Sequence, residues 1–346
     1  MSSDLVPRFA GCLLGGAVGD ALGAAVEFMA LPDIRIRYGP GGIQDFGEIH
    51  GRVGAITDDT QMTLFTAEGL IRAAAAHLAG TLDDPLAPIH RAYLRWLHSQ
   101  ARVSDHPDFE DAIDGWLIRI PTLHSQRAPG ATCLSALARA QVGSIDRPLN
   151  DSKGCGGVMR VAPVGLWGQD PFELGCRVAA LTHGHPSGYL AGGVLTSIVA
   201  YIVGGASVED AIGRTLDEQR SILNDELARA LDRAVDAASA GPANAETVEE
   251  LGQGWVAEEA LAISIYCSLV ADDLVTGVRL AVNHGGDSDS TGAITGNILG
   301  TAYGPSSIPE RWLEALELRD EISEIARDLA AAHAGAPPDP SRYPPR

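Results

Sequence analysis

The sequence predicts an all-α protein that folds as a single-domain orthogonal helical bundle. Segments with the alternation of a half-buried strand are scarce along the 346 residues, in which Ala, Leu and Glu dominate. No segment repeats at the period of a solenoid. Glycines recur at every fourth residue, and therefore along one helix face, in two distant segments: Gly11, Gly15, Gly19 and Gly23, and Gly292, Gly296, Gly300 and Gly304.

The two glycine series predict two helices in the crowded centre of the fold. A glycine inside a helix costs about 1 kcal/mol relative to alanine, and close approach of a neighbouring backbone compensates for that cost. A dinucleotide-binding fingerprint is the competing interpretation of the first series. It is excluded because GxGxxG is absent and no strand precedes the segment.

Taken in order, helical spacing predicts helices separated by polar, Gly-rich or Pro-rich connections. The segment 32–56 reads as a loop, 103–130 as loops with short helices, and 241–247 as a linker. The folded domain is expected to span residues 9–333. The tail 334–346 contains five prolines and is expected to be disordered. The predicted helices are 9–27, 60–77, 89–102, 131–142, 186–204, 207–236, 256–270, 272–283, 294–302 and 309–332.

Charge and cysteine usage limit the classes of function. With 45 acidic and 25 basic residues the formal net charge is −20, which argues against binding to a nucleic-acid backbone. The cysteines are odd in number, scattered and without CxxC spacing, so neither a disulfide framework nor a zinc site is indicated, and a cytoplasmic location is expected. They are Cys12, Cys133, Cys155, Cys176 and Cys267.

Two apolar stretches could be a signal peptide or a membrane-spanning helix. Residues 9–26 lack the ending of a cleaved signal peptide and carry Asp20. Residues 186–208 hold no formal charge and are long enough to span a bilayer. Their Gly, Ser, Thr and Pro content and the lack of basic flanks favour a buried core helix, so no membrane partner is expected.

Two clusters of carboxylates and hydroxyls each precede an apolar helical run. The first is Thr57, Asp58, Asp59 and Thr60, and the second extends from Gly285 to Thr291 with Asp287, Asp289 and Ser290. Either cluster alone is typical of a helix cap or turn. Two matching clusters would repel each other if brought together, unless cations lay between them. Their oxygen ligands, without His or Cys, suit a hard ion such as Mg²⁺ or Mn²⁺.

Other segments carry weaker indications. Residues 150–160 form a Gly-rich loop that can present backbone N–H groups to a phosphate, with a plain turn as the alternative. GxxxxGK[ST] is absent, which excludes a P-loop NTPase. His183 and His185 lack the spacing of metal ligands, so a hydrogen-bonding or helix-entry role is expected. Glu27, between large apolar residues, fits either a helix edge or a site carboxylate.

Together these segments resemble the ADP-ribosylglycohydrolase family over residues 9–329. The motifs that carry the resemblance are residues 19–23 (GDALG) with Glu27, 57–60 (TDDT), 154–160 (GCGGVMR), 181–183 (LTH) and 285–290 (GGDSDS). The resemblance implies an all-α fold and a site with two Mg²⁺ or Mn²⁺ ions. It also implies an ADP-ribosylated protein as substrate and ADP-ribose as product, and we expect a monomer.

Carried over residue by residue, the family pattern assigns roles to three sets of side chains. The implied metal ligands are Thr57, Asp58, Asp59, Asp287, Asp289 and Ser290, the last of which is often Thr in relatives. The implied substrate-binding residues are Ser152, Gly154, Cys155, Gly156, Gly157, Met159 and His183, with Cys155 standing where some relatives have Asn. The implied catalytic carboxylates are Glu27, Asp58, Asp59 and Asp289.

The linkage that is cleaved remains open at this point. The segment Val26–Met29 resembles the arginine-type branch, which favours hydrolysis of the N-glycosidic bond of ADP-ribosyl-arginine. An O-linked ADP-ribosyl-serine hydrolase is the alternative enzyme. A non-catalytic structural or toxin-binding relative is the alternative from another class, but such a chain would usually have lost ligands, and here four Asp and both hydroxyls are present.

Overall fold

The computed structural model describes residues 5–82 and 84–345, and its helices confirm the predicted all-α class. The described residues form seventeen α-helices, four short 3₁₀ helices and one short antiparallel hairpin, β1 (Glu48–Ile49) with β2 (Arg52–Val53). The first seven helices are α1 (Leu5–Gly23), α2 (Leu31–Tyr38), α3 (Asp58–Leu78), α4 (Leu86–Ser99), α5 (Phe109–Ala112), α6 (Ala131–Leu137) and α7 (Ala162–Trp167). The others are α8 (Pro171–Ala180), α9 (Pro186–Val203), α10 (Val208–Gln219), α11 (Asp225–Ala240), α12 (Ala245–Leu251), α13 (Ala257–Val270), α14 (Leu274–Val282), α15 (Ser288–Tyr303), α16 (Glu310–Ala315) and α17 (Arg319–His333).

The antiparallel pair of α1 and α15 forms the centre of the core. A Cβ added to Gly15 would lie 2.3 Å from the carbonyl oxygen of Gly296, and one added to Gly19 would lie 1.9 Å from that of Gly292. Only glycine permits such backbone contact, which explains the four-residue spacing. Gly304 differs from the rest of its series, because it ends α15 with a φ of +75°. Helices α3, α9, α13, α14 and α17 pack around this pair.

Several predicted helices are interrupted or displaced. The predicted helix 207–236 is two helices, α10 and α11, with Asn224 at the N-cap of the second. The predicted helix 309–332 is broken before α17 by Leu318, whose φ is +58°. The predicted loop 32–56 contains most of α2 and the hairpin, and the predicted linker 241–247 overlaps α12. The sequence predicts no helix where α7 and α8 lie. The spacing of apolar residues continues across both breaks, so periodicity alone does not locate them.

Two of the described helices, α1 and α9, are long and apolar enough to cross a membrane by length and composition. In each, 72% of the most apolar window is buried inside the protein. Helix α9 therefore lies in the core, as the sequence predicts.

Two residues near the end of the Pro-rich tail contact the bundle, whereas most of its other described residues are exposed; disorder of 334–346 stays a prediction. Tyr343 is 1% exposed and donates a hydrogen bond to Asp328 of α17 at 2.6 Å. The guanidinium of Arg342 lies 4.0 Å from the ring centroid of Trp116 and pairs with Asp328. These anchors compensate for the low hydrophobicity of the segment. The last residue of the predicted tail, Arg346, lies outside the described residues.

Candidate active site

Two helix N-termini meet at one end of the central pair and bring the two Asp clusters together. Asp58 and Asp59 are the first residues of α3. Asp289 lies in the first turn of α15, and Asp287 immediately precedes that helix. The hydroxyl of Ser290 donates a hydrogen bond to Asp59 Oδ1 at 2.9 Å, joining segments 231 residues apart. The partly positive ends of both helices therefore face the same group of carboxylates.

Glu27 joins this group because α1 and α15 are antiparallel. The end of α1 lies against the start of α15, where a Cβ on Gly23 would lie 2.2 Å from the carbonyl oxygen of Ser288. The chain that follows α1 consequently carries Glu27 to the second cluster. Three carboxylate oxygens, one from each of Glu27, Asp287 and Asp289, lie within 4.8 Å of one another. The structure thus adds Glu27 to the residues able to ligate a cation, besides its implied catalytic role.

The four Asp carboxylates of the two clusters are buried. Each is at most 4% exposed. Burial, and next the charge of Asp289, raises the pKa of Asp58, Asp59 and Asp287 well above the usual range. The same two causes raise the pKa of Glu27 to about 10. Across residues 5–82 and 84–345, no Lys, Arg or His forms an ion pair with these carboxylates.

This donor set fits divalent cations. Buried carboxylates that lack positive partners repel one another, and cations between them remove that repulsion. The candidate ligands are carboxylate and hydroxyl oxygens, which Mg²⁺ and Mn²⁺ prefer, although the Cys155 thiol also contacts Asp287. The 4.8 Å grouping of Glu27, Asp287 and Asp289 is close to the distance across the coordination shell of one ion. The residues present therefore fit the metal site that the family resemblance implies.

Asp20 is a site residue that the sequence analysis did not assign. Its fully buried carboxylate accepts hydrogen bonds from the backbone N–H of Thr57 at 3.0 Å and of Thr60 at 3.1 Å, and from the Thr60 hydroxyl. Asp20 therefore attaches α1 to the first turn of α3 and positions Asp58 and Asp59. The sequence feature that could have indicated this role is a carboxylate within an otherwise apolar helix.

Thr57 and the loop before α6 hold the first cluster from either side. The Thr57 hydroxyl caps α3 by accepting from the Asp59 N–H at 3.2 Å. Asp58 Oδ2 accepts from the N–H of Gly130 at 3.1 Å, and the Asp58 N–H donates to the carbonyl of Arg127 at 3.1 Å. A short loop thus orients Asp58. Pro129 and Gly130 belong to the segment 103–130, which the sequence predicts as loops with short helices, but the sequence does not indicate their contact with Asp58.

The Gly-rich loop forms the opposite wall of the site. Cys155–Gly157 is a single 3₁₀ turn. The Gly154 N–H donates to Ser152 Oγ at 3.3 Å and the Cys155 N–H to the Trp255 carbonyl at 3.2 Å, so these two amides already have acceptors. The Cys155 thiol donates to Asp287 Oδ2 at 2.7 Å. The residue at the position where some relatives have Asn therefore contacts a carboxylate of the cluster.

The carboxylates open into a cleft of about 350 Å³, which is large enough for a small ligand. Phe28, 72% exposed with a φ of +67°, stacks on Trp255 at the rim, with ring centroids 5.2 Å apart. Most of the implied site residues line this cleft: Glu27, Asp58, Asp59, Gly154, Cys155, Gly156, Met159, His183, Asp287, Asp289 and Ser290.

The remaining implied site residues lie behind the cleft wall. Thr57 caps α3, Ser152 contacts Thr132 through its hydroxyl at 3.1 Å, and Gly157 packs beside Ala179. The cleft residues that the sequence analysis missed are Phe28, Thr132, Cys133, Trp255 and the loop 128–131. They have no shared spacing in the chain, so only tertiary structure brings them together.

Comparisons with known proteins identify the family of this chain. The chain matches the family model described as ADP-ribosylglycohydrolase over residues 1–339. It is 29% identical over 340 residues to ADP-ribosyl-[dinitrogen reductase] glycohydrolase of Rhodospirillum rubrum, covering 94% of this chain and 95% of that protein. It is 25% identical over 337 residues to ADP-ribosylarginine hydrolase Tri1 of Serratia proteamaculans, covering 94% and 80%.

More distant relatives and solved structures extend the likeness over nearly the whole chain. Human ADP-ribosylhydrolase ARH3 is 25% identical over 366 residues, covering 93% of this chain and 92% of that protein. A solved structure titled ADP-ribosylglycohydrolase-related protein complex superposes with a TM-score of 0.67 at 26% identity, covering 95% of this chain and 99% of the other. The motifs, the fold and the match over residues 1–339 show that this chain belongs to the ADP-ribosylglycohydrolase family.

Proposed function

We propose that this protein is a metal-dependent hydrolase that removes ADP-ribose from arginine side chains of modified proteins. The observation that carries the proposal is the convergence of Asp58, Asp59, Asp287 and Asp289 at two helix N-termini beneath a ligand-sized cleft. Helix caps alone would not need four buried carboxylates in one place. A site built to hold two divalent cations accounts for all of them.

In this proposal the carboxylates and the Ser290 hydroxyl hold the cations. When bound, the cations would supply Lewis-acid chemistry, acidifying a water and stabilising negative charge on sugar oxygens. Glu27 lies partly exposed on the cleft wall beside Asp287 and Asp289, where it can give or take a proton at the bond being broken. Asp20 and Gly130 hold the first Asp cluster in position through their hydrogen bonds. The loop 154–157 and His183 form the wall of the cleft that would receive the ADP-ribose.

Two observations support arginine as the linkage. The names of the Rhodospirillum and Serratia relatives refer to dinitrogen reductase and to ADP-ribosylarginine. The rim of the cleft carries the exposed Phe28–Trp255 pair, and aromatic rings favour a cationic guanidinium over a neutral hydroxyl. The described cysteines are all free thiols, which agrees with the proposed cytoplasmic location.

The test uses two peptides that differ only in the ADP-ribosylated residue, arginine or serine. Purified protein is incubated with each peptide in Mg²⁺, in Mn²⁺ and in chelator, and free ADP-ribose is quantified by chromatography. We expect release from the arginine peptide in either metal and none in chelator. Asp289→Asn is the matched inactive control, because it removes one charge with little change in volume. Release from the serine peptide alone would refute the arginine assignment, and release in chelator would refute the metal dependence.

A further inference from the structure

A buried chain of hydrogen bonds lies directly behind the cleft wall at His183. Arg160 is fully buried, and its guanidinium stacks on Tyr93 at 4.3 Å from the ring centroid. Its Nη2 donates to Thr182 Oγ1 at 2.6 Å. Thr182 Oγ1 in turn lies 2.8 Å from His183 Nδ1. Nothing in the proposed reaction uses Arg160 or Thr182, yet together they connect a fixed cation to a ring that lines the cleft.

The donor capacity of each group determines the direction of this chain. An arginine side chain can only donate hydrogen bonds, so Thr182 Oγ1 must accept from Arg160. The Thr182 hydroxyl proton is then available for the neighbouring acceptor. If that acceptor is His183 Nδ1, this nitrogen carries a lone pair and the ring proton lies on Nε2.

Two further observations support this direction over its alternatives. The other acceptors beside Arg160 already accept from its guanidinium: Cys133 Sγ at 3.2 Å, the Val178 carbonyl at 3.4 Å and Met62 Sδ at 3.6 Å. The two sulfur atoms are weak acceptors. A lone pair on Nδ1 is also favoured over an N–H on the side of the ring that faces the Arg160 cation. Burial and this positive charge lower the pKa of His183 to about 3, so the ring is neutral near pH 7.

The opposite edge of the ring faces the cleft. Within the described residues, no protein group accepts a hydrogen bond from His183 Nε2. Gly154 and Gly156 leave this edge uncovered: a Cβ on either would lie 3.4 Å from Nε2, and one on Gly156 would lie 3.1 Å from Cε1. An unpartnered N–H in a cleft wall is a donor for an oxygen of a bound ligand.

We propose that Arg160 and Thr182 hold His183 in the Nε2–H tautomer, as a permanent hydrogen-bond donor to an oxygen of bound ADP-ribose. Arg160 and Thr182 are positioning residues. His183 then contributes to binding and neither gives up nor takes a proton during the reaction. The part of this inference that concerns ADP-ribose binding, its ligand half, rests on the proposed function. The part that concerns the His183 tautomer does not.

The tautomer is read by NMR on the full chain labelled with ¹⁵N-histidine, without ligand or metal, at pH 7. A His183→Gln variant identifies the resonance by its loss. We expect the wild type to show a protonated Nε2 and an unprotonated Nδ1. Thr182→Val removes the hydroxyl at nearly constant volume and should give a mixture of tautomers, while Thr182→Ser should retain the wild-type pattern. A wild-type ring protonated at Nδ1, or at both nitrogens, overturns the proposal even if Thr182→Val does not fold.

The ligand half is tested by calorimetry with ADP-ribose in Mg²⁺. His183→Phe keeps a ring but removes the donor, and losing one well-oriented hydrogen bond should weaken binding by about tenfold. Thr182→Val should weaken binding only by the fraction of Nε2–H tautomer that its spectrum shows, about twofold for an equal mixture, and Thr182→Ser should bind like the wild type. Equal affinity in wild type and His183→Phe overturns the donor role. No binding by the wild type refutes the proposed function instead, and the tautomer spectrum distinguishes the two failures because it is recorded without ligand.

Discussion

Replacing Gly296 with alanine should destabilise the protein through the contact between α1 and α15. A Cβ at this position would lie 2.0 Å from the Gly15 carbonyl oxygen and 2.5 Å from its carbon. Both atoms belong to a helix backbone, so no rotamer change can move them away. Ordinary contact begins at 3.4 Å, so the two helices would have to separate by about 1.4 Å.

The expected change in the free energy of unfolding follows from two opposing effects. Overpacking a well-packed core costs about 1–3 kcal/mol and sometimes more, and a gap of this size also removes much of the dispersion between the helices. Alanine returns about 1 kcal/mol through its higher helix propensity. Because the clashing atoms belong to the backbone, we expect a total cost of about 4 kcal/mol, above the usual range for overpacking, and therefore a net loss of about 3 kcal/mol. With an unfolding entropy of about 2.1 cal/mol/K per residue, this lowers Tm by about 4 °C for a chain of this length.

Gly213→Ala in α10 is the matched control. A Cβ there would have no neighbour within 4 Å, so the same substitution should raise Tm by about 1 °C through helix propensity alone. Calorimetric scans of wild type and both variants, in one buffer and at one scan rate, provide the comparison. If Gly296→Ala melts within 1 °C of the wild type, or is stabilised like the control, the close-contact argument is wrong.

Three other predictions concern the carboxylate site. Asp289→Asn should reduce turnover by more than about a hundredfold with an unchanged helical CD spectrum, and near-wild-type turnover with metal bound would contradict the binuclear site. Chelator should lower Tm relative to Mg²⁺ at about a hundredfold above Kd, where one ion contributes about 2.7 kcal/mol, and superimposable melts at confirmed saturation would leave the clusters as helix caps. In chelator, Tm should fall as pH rises from 5 to 8. The pKa of Asp20 is raised to about 7 and that of Glu27 to about 10, mainly by burial, so the native state binds more protons than the unfolded chain. The stabilisation is complete only below their unfolded values near 4, and a melting temperature that rises over this range would contradict the assignment.

The parts of the fold that sequence alone predicts are those whose spacing reflects a direct physical constraint. The pairing of α1 with α15 can be predicted from the glycine series because only glycine tolerates the backbone contact that Gly15 makes with Gly296. The Asp clusters can be recognised as candidate cation ligands because each combines a helix start with several negative charges that need compensation. Both features place residues from opposite ends of the chain in one site.

Other features depend on partners that are distant in sequence. Asp20 looks like a single acid in an apolar helix, and its role requires the N–H groups of Thr57 and Thr60. The break at Leu318 falls between segments that are both good helix formers, so the periodicity continues across it. Phe28 and Trp255 meet only because the chain after α1 reaches the loop before α13.

The pairing of α1 with α15 also determines when a newly made chain can fold. Gly23 leaves the ribosome 265 residues before Ser288, against which it packs, so at about 5–20 residues per second α1 waits about 13–53 s for its partner. During this time its apolar, glycine-lined surface is uncovered, and neither the core nor the second Asp cluster exists. A chain terminated before residue 288 would therefore lack the centre of the bundle and half of the carboxylate site together. Such a fragment should be a target for chaperones and proteases rather than a partly active hydrolase.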